Sequence, residues 1–140
     1  ADLSGGGMIC SFGSVPTIDH NTFTGNSAVL AGGGICLNSD AIISNTILWE
    51  NSAQLGNEIL AYIGSSTIDC SDVEGGLGSI HFEFGTLDWG ENMIDADPLF
   101  CDPSSGDYRV HPSSPCAPDS QRAWSGSRTG IWDRERRKNH

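Results

Sequence analysis

A repeat of 24 to 26 residues constrains this chain more than any other feature. Gly5-Gly6-Gly7-Met8-Ile9-Cys10 returns as Gly32-Gly33-Gly34-Ile35-Cys36, and the residues behind each copy return with it. Ile18, Asn21, Phe23 and Asn26-Ser27-Ala28 follow the first copy. Ile42, Asn45, Ile47 and Asn51-Ser52-Ala53 follow the second. A degenerate third copy runs through Gly56, Glu58, Ile59, Ile68, Ser71 and Val73. Matched positions step 18, 42, 68 and 21, 45, 71, a spacing of 24 and then 26. A fixed period of this size marks a repeat architecture, in which a unit buries its apolar side only against its neighbours.

The apolar runs inside each unit are short. Ala41-Ile42-Ile43, Ile59-Leu60-Ala61-Tyr62-Ile63 and Ser66-Thr67-Ile68 are rich in β-branched residues and bounded by Gly, Ser, Asn and Asp. That is a strand signal. No window carries a sustained 3.6-residue stripe, so units of paired helices are excluded, and the leucine spacing of leucine-rich repeats is absent. What remains is an all-β coil of three short strands per turn, a right-handed parallel β-helix of about three to four rungs. Ile18, Ile42 and Ile68 are expected to stack inward, as are Phe23, Ile47 and Val73. Asn21 and Asn45 are expected at a turn, left-handed and bonded to like amides above and below. The glycine triplets suit corners where a Cβ would clash.

Two stretches carry a family resemblance. GGGICLNSDAIISNTILWENSA (residues 32–53) and SSTIDCSDVEGG (residues 65–76) resemble the repeats of right-handed parallel β-helix proteins of the pectate-lyase-like superfamily. Asp95-Ala96-Asp97-Pro98-Leu99-Phe100, Asp102-Pro103, Gly106-Asp107-Tyr108-Arg109-Val110 and Ser113-Ser114-Pro115-Cys116 are similar to the closing segment of many secreted bacterial β-helix proteins. The resemblance spans about residues 5–119. It implies the fold, and a secreted or cell-surface parent. It implies no single activity, because the superfamily holds lyases, hydrolases, binders and structural modules.

The organisation expected is a β-helix over residues 1–119. Its repeats are about 5–30, 31–55 and 56–76, with a loop-like insertion at 77–94 and a closing segment at 95–119. Residues 120–140 differ in composition, hold six of the seven basic residues, and are expected to be partly disordered. In the superfamily this place holds a further Cys and a closing strand, and the tail departs from both. The chain starts inside the pattern, without a signal peptide, and reads as the carboxy-terminal piece of a longer β-helix. Open rung ends invite pairing, so a homo-oligomer is expected.

Charge narrows the partners. Residues 1–108 hold fifteen Asp and Glu and no Lys or Arg; Arg109 is the first basic residue. Such a field excludes nucleic acid and anionic membranes. It suits cations, Ca²⁺ first, and it equally suits a surface kept soluble by its charge. No apolar stretch is long enough to span a membrane. Cys10 and Cys36 hold equivalent repeat positions and are expected to stack, buried. Cys101 and Cys116 flank a 14-residue loop and are the disulfide candidates of an exported chain. No cysteine or histidine spacing suits zinc.

The chemistry-bearing candidates are few. Asp69, Asp72 and Glu74 stand at spacings of three and two, with Asp72 and Glu74 on one strand face. The resemblance implies calcium there, since pectate-lyase relatives bind Ca²⁺ through carboxylates projecting from one strand. Those enzymes also need a basic residue to take the proton α to the uronate carboxyl, and only Arg109 is at hand. Asp95, Asp97, Asp102 and Asp107 form a second oxygen-rich set for Ca²⁺, or are plain turn starters before proline. His81 and Glu83 share a strand face and are candidates for acid/base work, while His20 beside Asp19 reads as a turn residue. Trp49 and Trp89 are candidate sugar-stacking aromatics, with Trp49 alternatively a plug under a loop. The function expected is a secreted acidic module that binds carbohydrate or a surface, with calcium as a cofactor. The alternative is a Ca²⁺-dependent carbohydrate lyase or hydrolase, or a metal-assisted hydrolase of small esters or lactones.

Overall fold

The computed structural model describes residues 3–117. The first rung is β1 (Met8–Cys10), β2 (Thr17–Asp19) and β3 (Thr22–Thr24). The second is β4 (Ile35–Asn38), β5 (Ile42–Ser44) and β6 (Ile47–Trp49), and the third is β7 (Ile59–Ile63), β8 (Ser65–Asp69) and β9 (Asp72–Val73). Strands β10 (Ile80–Phe82) and β11 (Thr86–Trp89) follow, then a hairpin of β12 (Phe100–Asp102) and β13 (Asp107–Val110). Strands of like position pair in parallel. The first sheet is β1-β4-β7-β10, the second β2-β5-β8-β11 and the third β3-β6-β9. This is a parallel β-solenoid of about three turns. The basic tail expected at residues 120–140 lies outside the described residues.

Across the first three rungs the period inside the second and third sheets is a steady 25, with no step of 24 followed by 26. Ile18 pairs with Ile43, and Ile43 with Ile68; Phe23 pairs with Leu48, and Leu48 with Val73. The inward ladders therefore run through Ile43 and Leu48, not through Ile42 and Ile47. Ile43 is 0% exposed and Ile42, one residue earlier on the opposite face, is 50% exposed. Across those three rungs the uneven spacing is confined to the first sheet, where Met8 pairs with Ile35 and Ile35 with Ile59. Cys36 consequently lies beside Ile9 while Cys10 lies beside Leu37, so the two cysteines do not stack. Both are buried, on opposite faces of the sheet: Cys10 belongs to the main core, Cys36 to a small cluster with Ala31 and Leu60.

Corners repeat in conformation more faithfully than in sequence. His20, Asn45 and Cys70 all adopt positive φ (61°, 49° and 45°), as do Gly25, Glu50 and Gly75 after them (69°, 57° and 79°). Asn45 is left-handed as expected, but its counterpart is His20 and not Asn21. The amide ladder is also elsewhere: Asn26 Nδ2 donates to Asn51 Oδ1 at 3.1 Å, one rung apart. The glycine triplets answer to close approach. A Cβ on Gly33 would stand 2.5 Å from the Ser52 carbonyl oxygen, and one on Gly34 would stand 2.6 Å from that of Glu58.

The stretch expected as an insertion is a further rung. β10 pairs with β7 and β11 with β8, and Ile94 bridges to Asp72 in the third sheet. The spacing has shortened, with Ile68 now paired to Trp89. A Gly75-Gly76 turn and a 3-10 turn over Gly76–Ser79 replace the longer return of the earlier rungs. The closing segment then turns aside. Its hairpin lies against the outer face of the third sheet, where Cys116, Ile94, Phe100 and Val110 gather with Ile47, Trp49 and Cys70 in a second small core.

Candidate functional site

Most of the carboxylates expected to hold calcium accept local hydrogen bonds. Asp72 is 0% exposed on the outer face of β9, with Oδ1 accepting the Ala96 N–H and Oδ2 accepting the Cys116 thiol, each at 3.1 Å. Glu74, on the same face, accepts the Glu50 N–H at 2.7 Å. Asp95 accepts from Gly75 N, Asp97 from Leu99 N and Asp102 from the Ser104 hydroxyl. The Asp97 and Asp102 contacts are turn geometry. Asp69 is exposed. Among the described residues no three His, Cys, Asp or Glu side chains gather so as to hold a metal ion.

The ingredients of a lyase site stand apart in kind. Arg109 forks onto Asp107, with Nε and Nη2 each 2.9 Å from a carboxylate oxygen. Those bonds hold the Asp107 carboxyl down at about 2. The Asp72 carboxylate, which such a site would present to metal and substrate, is sealed under the closing segment. None of the five cysteines is in a disulfide; Cys101 is exposed and Cys116 is buried against Asp72, so the expected bridge between them is not formed.

Both tryptophans are half-buried and pack on apolar clusters. Trp89 continues the inward ladder above Ile68 and packs on the main core. Trp49 packs against the Ile47 and Cys116 cluster, the plug beneath the closing segment. At the corner after β2, burial pushes the Asp19 carboxyl up, but bonds from Asn45, Ser44 and His20 outweigh it and leave the group below its usual range. His20 Nδ1 lies 2.5 Å from Asp19 Oδ2 and the Ser44 hydroxyl donates to Oδ1 at 2.9 Å. Both contacts orient the turn that His20 was expected to serve.

One exposed constellation does assemble. At the corner between the first and second sheets, Tyr62 of the third rung meets Phe84 of the fourth edge to face, with ring centroids 5.9 Å apart and planes at 71°. The Phe84 N–H donates to the Tyr62 carbonyl at 3.0 Å, which fixes the two turns together. Phe84 is 77% exposed and Tyr62 39% exposed, with Ile63 and Phe82 open beside them. Glu83, next in the chain to Phe84, lies with Oε2 2.8 Å from His81 Nε2. The pairing expected of His81 and Glu83 is therefore present, and it adjoins two aromatic rings. The alternation Ile80-His81-Phe82-Glu83-Phe84 announced a strand, but the Tyr62 contact depends on the 21-residue step between rungs, which no repeat-based alignment supplies.

Among the described residues no helix is long and apolar enough to cross a membrane. Compared with known proteins, the chain matches no family model, no curated protein and no solved structure.

Proposed function

We propose that this chain is a β-solenoid binding module, of the pectate-lyase-like kind and secreted or displayed at a cell surface, that holds polysaccharide at the Tyr62–Phe84 corner without cleaving it. The supporting observation is the exposed edge-to-face aromatic pair beside the His81–Glu83 pair. A sugar ring offers an apolar C–H face and a rim of hydroxyls. Aromatic rings receive the first at small entropic cost, and a carboxylate or imidazole bonds the second. Adjacent rungs stand about 4.8 Å apart, so the two rings form one notch and not two separate sites.

Charge selects the sugar class. A surface rich in acidic residues, in a chain with no Lys or Arg before Arg109, repels polyuronates, and neutral or amino sugars fit better. The test is a calorimetric titration with soluble neutral, amino and uronic oligosaccharides. Binding to a neutral or amino sugar is expected, lost in Tyr62→Ala/Phe84→Ala and kept in Trp49→Phe. No heat with any sugar, or full binding by the double variant, would overturn the reading.

A further inference from the structure

The last strand of the second sheet pairs on one side only. β11 lies against β8 and ends its sheet. Thr86 and Gly90 donate their amides to the Gly64 and Ile68 carbonyls of the third rung, at 2.9 and 2.8 Å. In a parallel ladder alternate residues direct N–H and C=O to the same neighbour, so Asp88 also faces β8, and the N–H and C=O of Leu87 and Trp89 face the open edge. Among the described residues nothing pairs with those four groups. The chain after β11 does not return over this edge. It bridges to Asp72 at Ile94 and runs on to the hairpin of β12 and β13 beside the third sheet.

Water is a poor substitute for a partner here. Leu87 is 7% exposed and Trp89 is half-buried, and both side chains pack on the main core. A buried backbone group without a partner is costly, and a bare strand edge is a template for a further strand. An incoming strand offers amides and carbonyls at the same repeat as β11. Charge indicates what that strand carries. Glu83, Asp88 and Glu91 are all exposed, standing before, within and after β11. No Lys or Arg precedes Arg109, which is forked onto Asp107. A second copy would bring the same acids against these three, whereas a Lys or Arg beside Asp88 meets opposite charge.

We propose that the open edge of β11 is a docking site for an extended basic peptide, which adds to the second sheet as its next strand. The peptide backbone pairs with Leu87 and Trp89. Its Lys or Arg side chains lie beside Asp88 on the solvent face, with Glu83 and Glu91 at the two ends. Backbone pairing supplies the affinity and the flanking carboxylates select a basic sequence. The pairing groups belong to β11 and not to the Tyr62 and Phe84 rings, so peptide binding and sugar binding stand or fall separately.

The experiment is amide hydrogen exchange of the intact chain, read residue by residue by NMR, with a blocked peptide of alternating threonine and arginine. With the peptide at about ten times its Kd, exchange at the Leu87 and Trp89 amides is expected to slow about tenfold, while the Leu48 amide in the third sheet is unchanged. Two analogues separate backbone from charge. Full N-methylation replaces the peptide's amide donors and keeps its charge, and glutamine in place of arginine does the reverse. Neither analogue should protect the two amides. Asp88→Asn, a change on the surface, should raise the Kd of the basic peptide about threefold. No added protection, or equal protection by the N-methylated peptide, would overturn the proposal. So would protection already present without peptide, or protection that grows with the concentration of the chain itself.

Discussion

Ile42 and Ile43 are adjacent, identical in chemistry, and opposite in environment, and truncating each to alanine tests the register. Ile43 is fully buried between Ile18 and Ile68, whereas half of Ile42 faces solvent. Ile43→Ala removes three carbon groups at about 0.8 kcal/mol each in transfer free energy, or about 2.4 kcal/mol. The rungs on either side are held by backbone bonds and cannot collapse into the gap, so a cavity term brings the loss to about 3–4 kcal/mol. That corresponds to a fall of about 10 °C or more in Tm for a domain of this size. Ile42→Ala gives up part of one exposed face and some strand propensity, a loss of about 0.5 kcal/mol. Urea denaturation followed by circular dichroism, with equal slopes for both variants, measures the difference. Equal losses, or a larger loss at Ile42, would refute the 25-residue register.

Glu58 is buried, accepts hydrogen bonds from Asn51, and has its carboxyl pushed up to about 7 by burial. Its folded state binds a proton more tightly than the unfolded chain, so stability falls as pH rises from about 4.5 to 7 and is level above. The Glu58 share is at most about 3 kcal/mol; Glu58→Gln should flatten that slope, and an unchanged slope in denaturation midpoints across pH 4.5–8 would contradict it. Gly33→Ala drives a Cβ into backbone of the adjoining rung and should cost more than about 3 kcal/mol; a folded variant of near-native Tm would show the contact to be softer. Glu50 holds a left-handed corner where Gly25 and Gly75 stand in the neighbouring rungs. Glu50→Gly should therefore raise stability by up to about 1 kcal/mol in thermal melts, and a loss would show that the side chain offsets its strain.

The fold was legible because its cause is periodic. Glycine triplets, short β-branched runs and the Asn-Ser-Ala words recur at nearly constant spacing, and only a stacked coil makes use of that. Register was not legible at one residue's precision. Ile42-Ile43 and Ile47-Leu48 each offer two apolar neighbours, and sequence alone cannot say which faces inward. The rung at β10 and β11 was hidden because its return is shorter and its inward positions are filled by Leu87 and Trp89 in place of isoleucine. The site was read in halves. The pairing of His81 with Glu83 follows from strand alternation, whereas Tyr62 and Phe84 meet only once adjoining rungs are stacked. Asp is as useful for closing turns and capping backbone amides as for binding a cation, and Asp95, Asp97 and Asp102 each accept such a local bond.

The most direct test of the binding account is affinity electrophoresis of the native chain through gels cast with neutral, amino or uronic polysaccharide. The expected result is retardation in a neutral or amino polysaccharide that disappears in Tyr62→Ala/Phe84→Ala, whose melting curve matches the native one because both rings sit on the surface. Equal mobility of the native chain in every gel, or retardation that survives loss of both rings, would contradict it.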